Sequence, residues 1–136
     1  MRDVRRAANA LAFSQRTLAR EIFPRSARLL RPSEYAAVLK HPELSLTSGP
    51  LRLRIRKNGM PTARLGMVVP KKGTSHAYRR NRLKRLAREE FRHALGDLPP
   101  VDVVVQVFGS VEDISFRRKL RVHLQSIGQR LHELQT

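Results

Sequence analysis

His76-Ala77-Tyr78-Arg79-Arg80-Asn81-Arg82-Leu83-Lys84-Arg85-Leu86-Ala87-Arg88-Glu89-Glu90-Phe91-Arg92 reads as one long helix with two unlike faces. Leu83, Leu86, Ala87, Phe91, Ala94 and Leu95 recur at helical spacing and form a single apolar stripe. Asn81, Lys84, Arg85, Arg88 and Arg92 fall on the opposite arc. The stripe begins only at Leu83, so the first turn, Arg79 to Arg82, is expected to project beyond the core that the rest covers. Cations are least welcome there. A helix N-terminus carries partial positive charge, and each arginine costs roughly a few tenths of a kcal/mol. Free backbone N–H groups and guanidinium forks at one end nevertheless make a good phosphate receptor. A solvated basic face is the plain alternative. Local cost and local density together favour a polyanion partner, with nucleic acid ahead of others.

Composition points the same way. The chain has 136 residues, enough for one domain with a modest core and a tail. Its 28 Lys and Arg against 11 Asp and Glu give a net charge of +17, a field that attracts nucleic acid or an anionic membrane surface. No segment has the length and apolarity of a membrane-spanning helix, and the N-terminal stretch lacks the continuous apolar core of a signal peptide. Membrane residence is not expected. The absence of cysteine excludes a disulfide framework, a thiol nucleophile and a zinc–thiolate site, and is compatible with the cytoplasm.

Upstream of the basic helix, residues 1–22 mix Arg2, Arg5, Arg6, Arg16 and Arg20 with Leu11, Phe13, Leu18 and Ile22. This basic extension reads as a weakly amphipathic helix or a disordered arm that folds on RNA, and a transit peptide would look similar. The folded domain is expected over residues 23–136. Pro32-Ser33 signals a short helix from Ser33 to about His41, ended by His41-Pro42. Leu44 to Pro50 is expected to be loop. Leu51-Arg52-Leu53-Arg54-Ile55-Arg56 alternates strictly, a strand with one apolar and one cationic face. Arg64-Leu65-Gly66-Met67-Val68-Val69-Pro70 reads as a second strand, more continuously apolar and so expected to be central. Lys71 and Lys72 follow at its end.

Beyond the helix, Val101 to Phe108 reads as a third, buried strand, parallel to a neighbour across the helix. Asp113 or Ser115 can cap a last helix carrying Phe116, Leu120, Leu124, Ile127, Leu131 and Leu134. The order predicts an α+β fold, a small sandwich of helices on a sheet.

Catalytic parts are hard to assemble. The five histidines, His41, His76, His93, His123 and His132, show no metal-ligand spacing. Glu89-Glu90 sit among arginines, where salt bridges explain them, and Glu112-Asp113 reads as a cap and loop pair. No glycine-rich phosphate loop, nucleophile elbow or paired acid is present. No catalytic or metal-binding residue is therefore assigned. Two tyrosines and five phenylalanines, several needed for the core, leave few stacking groups.

Three ordered motifs carry a family resemblance. Phe23-Pro24-Arg25 with Arg28-Leu29-Leu30-Arg31-Pro32-Ser33-Glu34-Tyr35, Arg64 to Lys72, and Arg80-Asn81-Arg82 through Phe91 resemble the protein subunit of bacterial ribonuclease P. The resemblance implies a ribonuclease P protein-like fold (ribosomal S5 domain 2-like) on a sheet of four strands or fewer, with an unusual left-handed β–α–β crossover. It implies an RNA–protein enzyme that removes the 5′ leader from precursor tRNA. The RNA performs the hydrolysis with Mg²⁺ that it mainly holds itself, and the protein is expected as one monomeric copy per RNA. Carried over by position, Arg79, Arg80, Asn81, Arg82, Lys84, Arg85, Arg88, Lys71 and Lys72 would bind the catalytic RNA. Tyr35, Arg52, Arg54, Arg56 and Lys71 would bind the leader. Leu39 stands where the family often has an aromatic, and arginines occupy the first strand's outer face, so phosphate contacts are expected to replace some stacking. The alternatives are a ribosomal or other structural RNA-binding protein, which shares the charge but not the ordered motifs, and a DNA-binding module, which lacks helix-turn-helix spacing.

Overall fold

Alternation from Leu51 to Ile55 puts apolar side chains on one side of a strand and arginines on the other. This strand is β2 (Leu51–Lys57), flanked in sequence by β1 (Leu44–Ser48) and β3 (Arg64–Val68), with β4 (Val101–Val107) later. The structure, a computed structural model, describes residues 25–135. Three helices accompany the strands: α1 (Pro32–Lys40), the basic α2 (Ala77–Ala94) and α3 (Asp113–Gln135). The sheet order is β1-β2-β4-β3. β2 pairs antiparallel with β1 and β4, whereas β3 and β4 are parallel, with α2 as the crossover such a pair requires. The α+β sandwich expected from the sequence is the fold observed.

Leu51, Leu53, Ile55, Val101, Val103, Val105 and Val107 point to one side, where Leu83, Leu86, Phe91, Phe116 and Leu120 of α2 and α3 close the main core. The other face carries Arg52, Arg54 and Arg56 and receives α1 through Val38, packed with Leu29 and Val104. Tyr35 of α1 lies against Gly66, where a Cβ would stand 2.6 Å from the ring. Only glycine lets the tyrosine sit this close to β3.

Three expectations are corrected. Leu44 to Pro50 is not a loop: Leu44–Ser48 is the edge strand β1, paired from Leu44↔Ile55 to Ser48↔Leu51. Two apolar positions, Leu44 and Leu46, gave little periodicity, and the pairing partner supplies what the segment lacks. Gly49, at φ +59°, makes the tight return. Likewise β3 is not central but the opposite edge. Its apolar run reflects burial by helices on both faces, not neighbours on both sides. Leu29 N–H bonds Leu65 O at 2.9 Å, and the Tyr35 hydroxyl accepts from Met67 N–H at 3.4 Å, so part of that open edge is satisfied. Leu134, expected on the apolar stripe of α3, is 62% exposed. Burial along the 23-residue helix ends at Leu131, and its last turn carries Leu134 past the core.

Glu90 is buried between α2 and α3. Arg117 Nε reaches its Oε2 at 2.9 Å, while Arg121 Nε and Nη2 reach Oε1 and Oε2 at 2.9 and 3.0 Å. The expected salt bridges exist, but the partners come from α3 and not from the arginines beside Glu90 in sequence. Burial pushes the Glu90 carboxyl up, and hydrogen bonds from Arg121 and Arg117 outweigh it, leaving the group below its ordinary value. Asp113, held by Arg79 and Arg82, and Glu34, held first by the Arg31 and Leu30 N–H groups, are also lowered. Each carboxylate therefore stabilises the fold above its unfolded pKa of about 4, and that contribution is lost as pH falls through the lower folded value. Urea unfolding should show a midpoint that dips below about pH 6.5, where burial and then Arg130 hold the His123 imidazole below its ordinary value, and that falls again from pH 5 towards pH 3 as the carboxylates are protonated. A midpoint unchanged at pH 3 would contradict these pairings.

Candidate nucleic-acid interface

α2 begins at His76, whose carbonyl accepts the Arg79 and Arg80 N–H groups at 3.1 Å each, and no side chain caps the helix. The absence of an acid in the first turn leaves the clustered arginines to be compensated from elsewhere. Arg79 and Arg82 converge on the Asp113 carboxylate at the start of α3, and Arg79 also donates to Val111 O. Arg80 forks onto Thr74 O and Ser75 O at 2.9 and 2.8 Å. As expected, this turn lies beyond the core, whose first buried residue on α2 is Leu83, but part of it is tied down by polar contacts that the sequence did not reveal. Arg79 is only 27% exposed and is engaged within the fold, whereas Arg82 is half exposed. The partner Asp113 lies 34 residues away from Arg79, too far for sequence spacing to reveal it.

The outer arc of α2 behaves differently. Asn81 and Arg85 are exposed, and Lys84 and Arg88 lean towards the open edge of β3. There Lys84, Arg88, Arg28, Tyr35, Leu65 and Met67 line a groove of about 200 Å³. Burial, then Arg28 and Arg85, depress the Arg88 guanidinium from its ordinary value. Like charges have been gathered around a partly desolvated cation, an arrangement that an incoming phosphate relieves. The groove joins two sets of residues that the sequence keeps apart: Tyr35 from α1, and Lys84 and Arg88 from α2.

The cationic face of β2 divides. Arg56 Nη1 donates to His41 O at 2.9 Å and so closes the C-terminus of α1. Arg54 has a buried Nε with no hydrogen-bond partner, and the Arg52 guanidinium lies 5.2 Å from the centre of the Phe108 ring. Lys71 and Lys72 are exposed in the turn after β3. That turn is pressed against the chain leaving β4, since a Cβ on Gly73 would fall 2.9 Å from the Phe108 carbonyl and the Gly109 nitrogen. The backbone of the lysine turn therefore lies close to Phe108, at the far end of the face from Arg56. Arg28 and Phe108 were not singled out as binding residues from the sequence. Phe108, just past β4, shares even parity with Asp102, Val104 and Gln106, so alternation puts it on their face, but only the pairing with β2 makes that the arginine face.

Among the described residues, no group of three or more His, Asp or Glu could hold a metal ion. Glu34, Glu90, Asp102 and Asp113 are each engaged by arginines. Among the described residues these four carboxylates are taken up by guanidinium groups and offer no ready set of Mg²⁺ ligands. No helix among the described residues is long and apolar enough to cross a membrane.

The sequence model of the Ribonuclease P family matches residues 23–132. The chain belongs to the ribonuclease P protein family. It is 44% identical over 93 residues to the ribonuclease P protein component of Halorhodospira halophila, covering 68% of this chain and 76% of that protein. With the component of Klebsiella pneumoniae identity is 40% over 95 residues, 70% of this chain and 79% of the relative. The solved RNase P protein of Thermotoga maritima superposes with a TM-score of 0.60 at 36% identity, covering 72% of this chain and 94% of that one. The Staphylococcus aureus RNase P protein, at 21% identity and TM-score 0.66 over 76% of this chain and 95% of its own, shares the fold. Membership of this family sets aside the ribosomal and DNA-binding alternatives. The first 24 residues, including the basic extension expected over residues 1–22, lie outside the described residues.

Proposed function

We infer that this chain is the RNA-binding, non-catalytic subunit of ribonuclease P, which assists the catalytic RNA in removing the 5′ leader of precursor tRNA. Its partners are the ribonuclease P RNA and precursor tRNA. The observation that carries the residue-level reading is the groove at the β3 edge, where Lys84, Arg88 and Arg28 crowd around Tyr35 with Arg85 beside them.

In this reading Asn81, Arg82, Lys84, Arg85 and Arg88 take the catalytic RNA, with Lys71 and Lys72 extending the surface. Arg79 and Arg80 act mainly by fixing the start of α2, through Asp113 and the Thr74–Ser75 carbonyls. Tyr35, Arg52, Arg54 and Lys71 take the leader, and Arg56 holds α1 in place for them. The Mg²⁺ that supports hydrolysis belongs to the RNA. The protein works in the cytoplasm as a monomer, one copy per RNA.

Precursor-tRNA cleavage at low Mg²⁺ and moderate salt tests the assignment. Efficient cleavage is expected only when protein and cognate RNA are combined, with none from the protein alone. No enhancement over the RNA alone would sink it. For the leader site, the affinity gained from a leader should fall steeply with salt and drop in Arg54→Ala, because phosphate contacts release counterions. A salt-independent leader contribution, abolished in Tyr35→Ala but untouched by Arg54→Ala, would make stacking the dominant interaction instead.

A further inference from the structure

We propose that Phe108 is a stacking platform for one unpaired nucleobase of the leader, with Arg52 and Gln106 completing its slot. The proposal rests on the reading of the arginine face as the leader surface and names a base contact within it. β4 stops at Val107, one residue short of the buried strand expected through Phe108, and Phe108 just beyond it is 49% exposed, a large apolar ring with Arg52 over it. Register places Arg52 opposite Gln106, with Val68 of β3 beside Gln106, so Arg52, Gln106 and Phe108 share one end of this face. α1 reaches from Arg64, through Glu34, to Arg56, through His41, and so covers the other end.

The ring's surroundings are rigid where a platform needs rigidity. Phe108 N–H donates to Pro50 O at 2.8 Å, and Gly73 packs onto the Phe108 carbonyl. The Arg52 guanidinium lies over the ring, 5.2 Å from its centre and within cation–π range, so a stacked base takes the opposite face of the ring or displaces the guanidinium. Lys71 and Lys72 stand on the adjoining turn, placed to take flanking phosphates. One position inward, Gln106 has a buried Oε1 with no hydrogen-bond partner. Such an unmet acceptor is unfavourable, and rotation of the terminal amide lets it receive an exocyclic amino group or ring N–H of a base. An aromatic face, cations for the backbone and an amide for the base edge describe a nucleotide of single-stranded RNA better than a bare phosphate. The sparse aromatics of α1 and β2 are thus compensated from β4.

The test uses the reconstituted holoenzyme and precursor tRNAs carrying 2-aminopurine at each leader position in turn, alongside a leaderless tRNA. One position should show strong fluorescence quenching on binding. Phe108→Leu should abolish that quenching and weaken leader-dependent binding about fivefold to a hundredfold, with the thermal midpoint unchanged. Phe108→Tyr should restore both. Gln106→Leu should leave the quenching but flatten the preference for one base at that position. If leader-bearing substrate binds more tightly than leaderless tRNA yet no quenching depends on Phe108, the stacking proposal is overturned and the leader reading stands. Equal binding of the two substrates would remove both.

Discussion

Phe91→Ala is expected to lower the unfolding free energy by about 3–5 kcal/mol, the usual cost of emptying a buried phenylalanine site. Phe91 is fully buried in the main core, where α2 meets α3 and the sheet. The cluster around it is held in place on several elements, with Leu86 and Ala87 on the same helix and Val103 and Val105 on a strand paired on both sides, so it cannot collapse easily into the void. Thermal unfolding should shift down by roughly 10–20 °C. The same variant should assemble with RNA normally at low temperature, since no outer-arc residue is altered. A shift of only a degree or two would mean that α2 does not seat on the sheet as described.

The second large effect is on association. Replacing Lys84, Arg85 and Arg88 together by alanine is expected to weaken binding to the catalytic RNA by roughly two to three orders of magnitude at moderate salt. The slope of affinity against salt should become shallower by about 0.7–0.9 for each phosphate that is no longer neutralised. All three residues lie off the apolar stripe, and Lys84 and Arg88 line the groove. The folded state should not suffer. Arg88 is a cation depressed by burial and by Arg28 and Arg85, so its removal relieves repulsion. Isotherms at several salt concentrations, with unfolding curves on the same samples, check both halves. Unchanged affinity and slope would move the RNA surface away from α2.

The two kinds of residue on α2 were unequally legible. Leu83, Leu86, Ala87 and Phe91 could be placed from spacing alone, because a helix buries whatever recurs along one side. The outer arc followed by subtraction. Arg79 and Arg82 could not be placed that way. Their exposure depends on Asp113, which comes from the next helix in space. Strand β1 is illegible for a similar reason, since an edge segment with two apolar positions becomes a strand only when β2 offers hydrogen bonds. The apolar run of β3 marks a strand but not its place, because burial of both faces looks the same in sequence at an edge or a centre.

The candidate site shows the same division. The residue types were legible: basic side chains at helical and strand spacing, an aromatic in the first helix, and no catalytic set. Their grouping was not. Tyr35, Arg28, Lys84 and Arg88 share one groove only because β3 is an edge between α1 and α2. Phe108 joins Arg52 only because β4 lies beside β2 in antiparallel register. By itself the sequence determined the helices, three of the four strands, the charge and the family, all of which depend on local periodicity and ordered motifs. Strand order, the pairing of carboxylates with arginines and the walls of the groove were decided by tertiary structure. Those depend on contacts between segments tens of residues apart, and no local spacing encodes them.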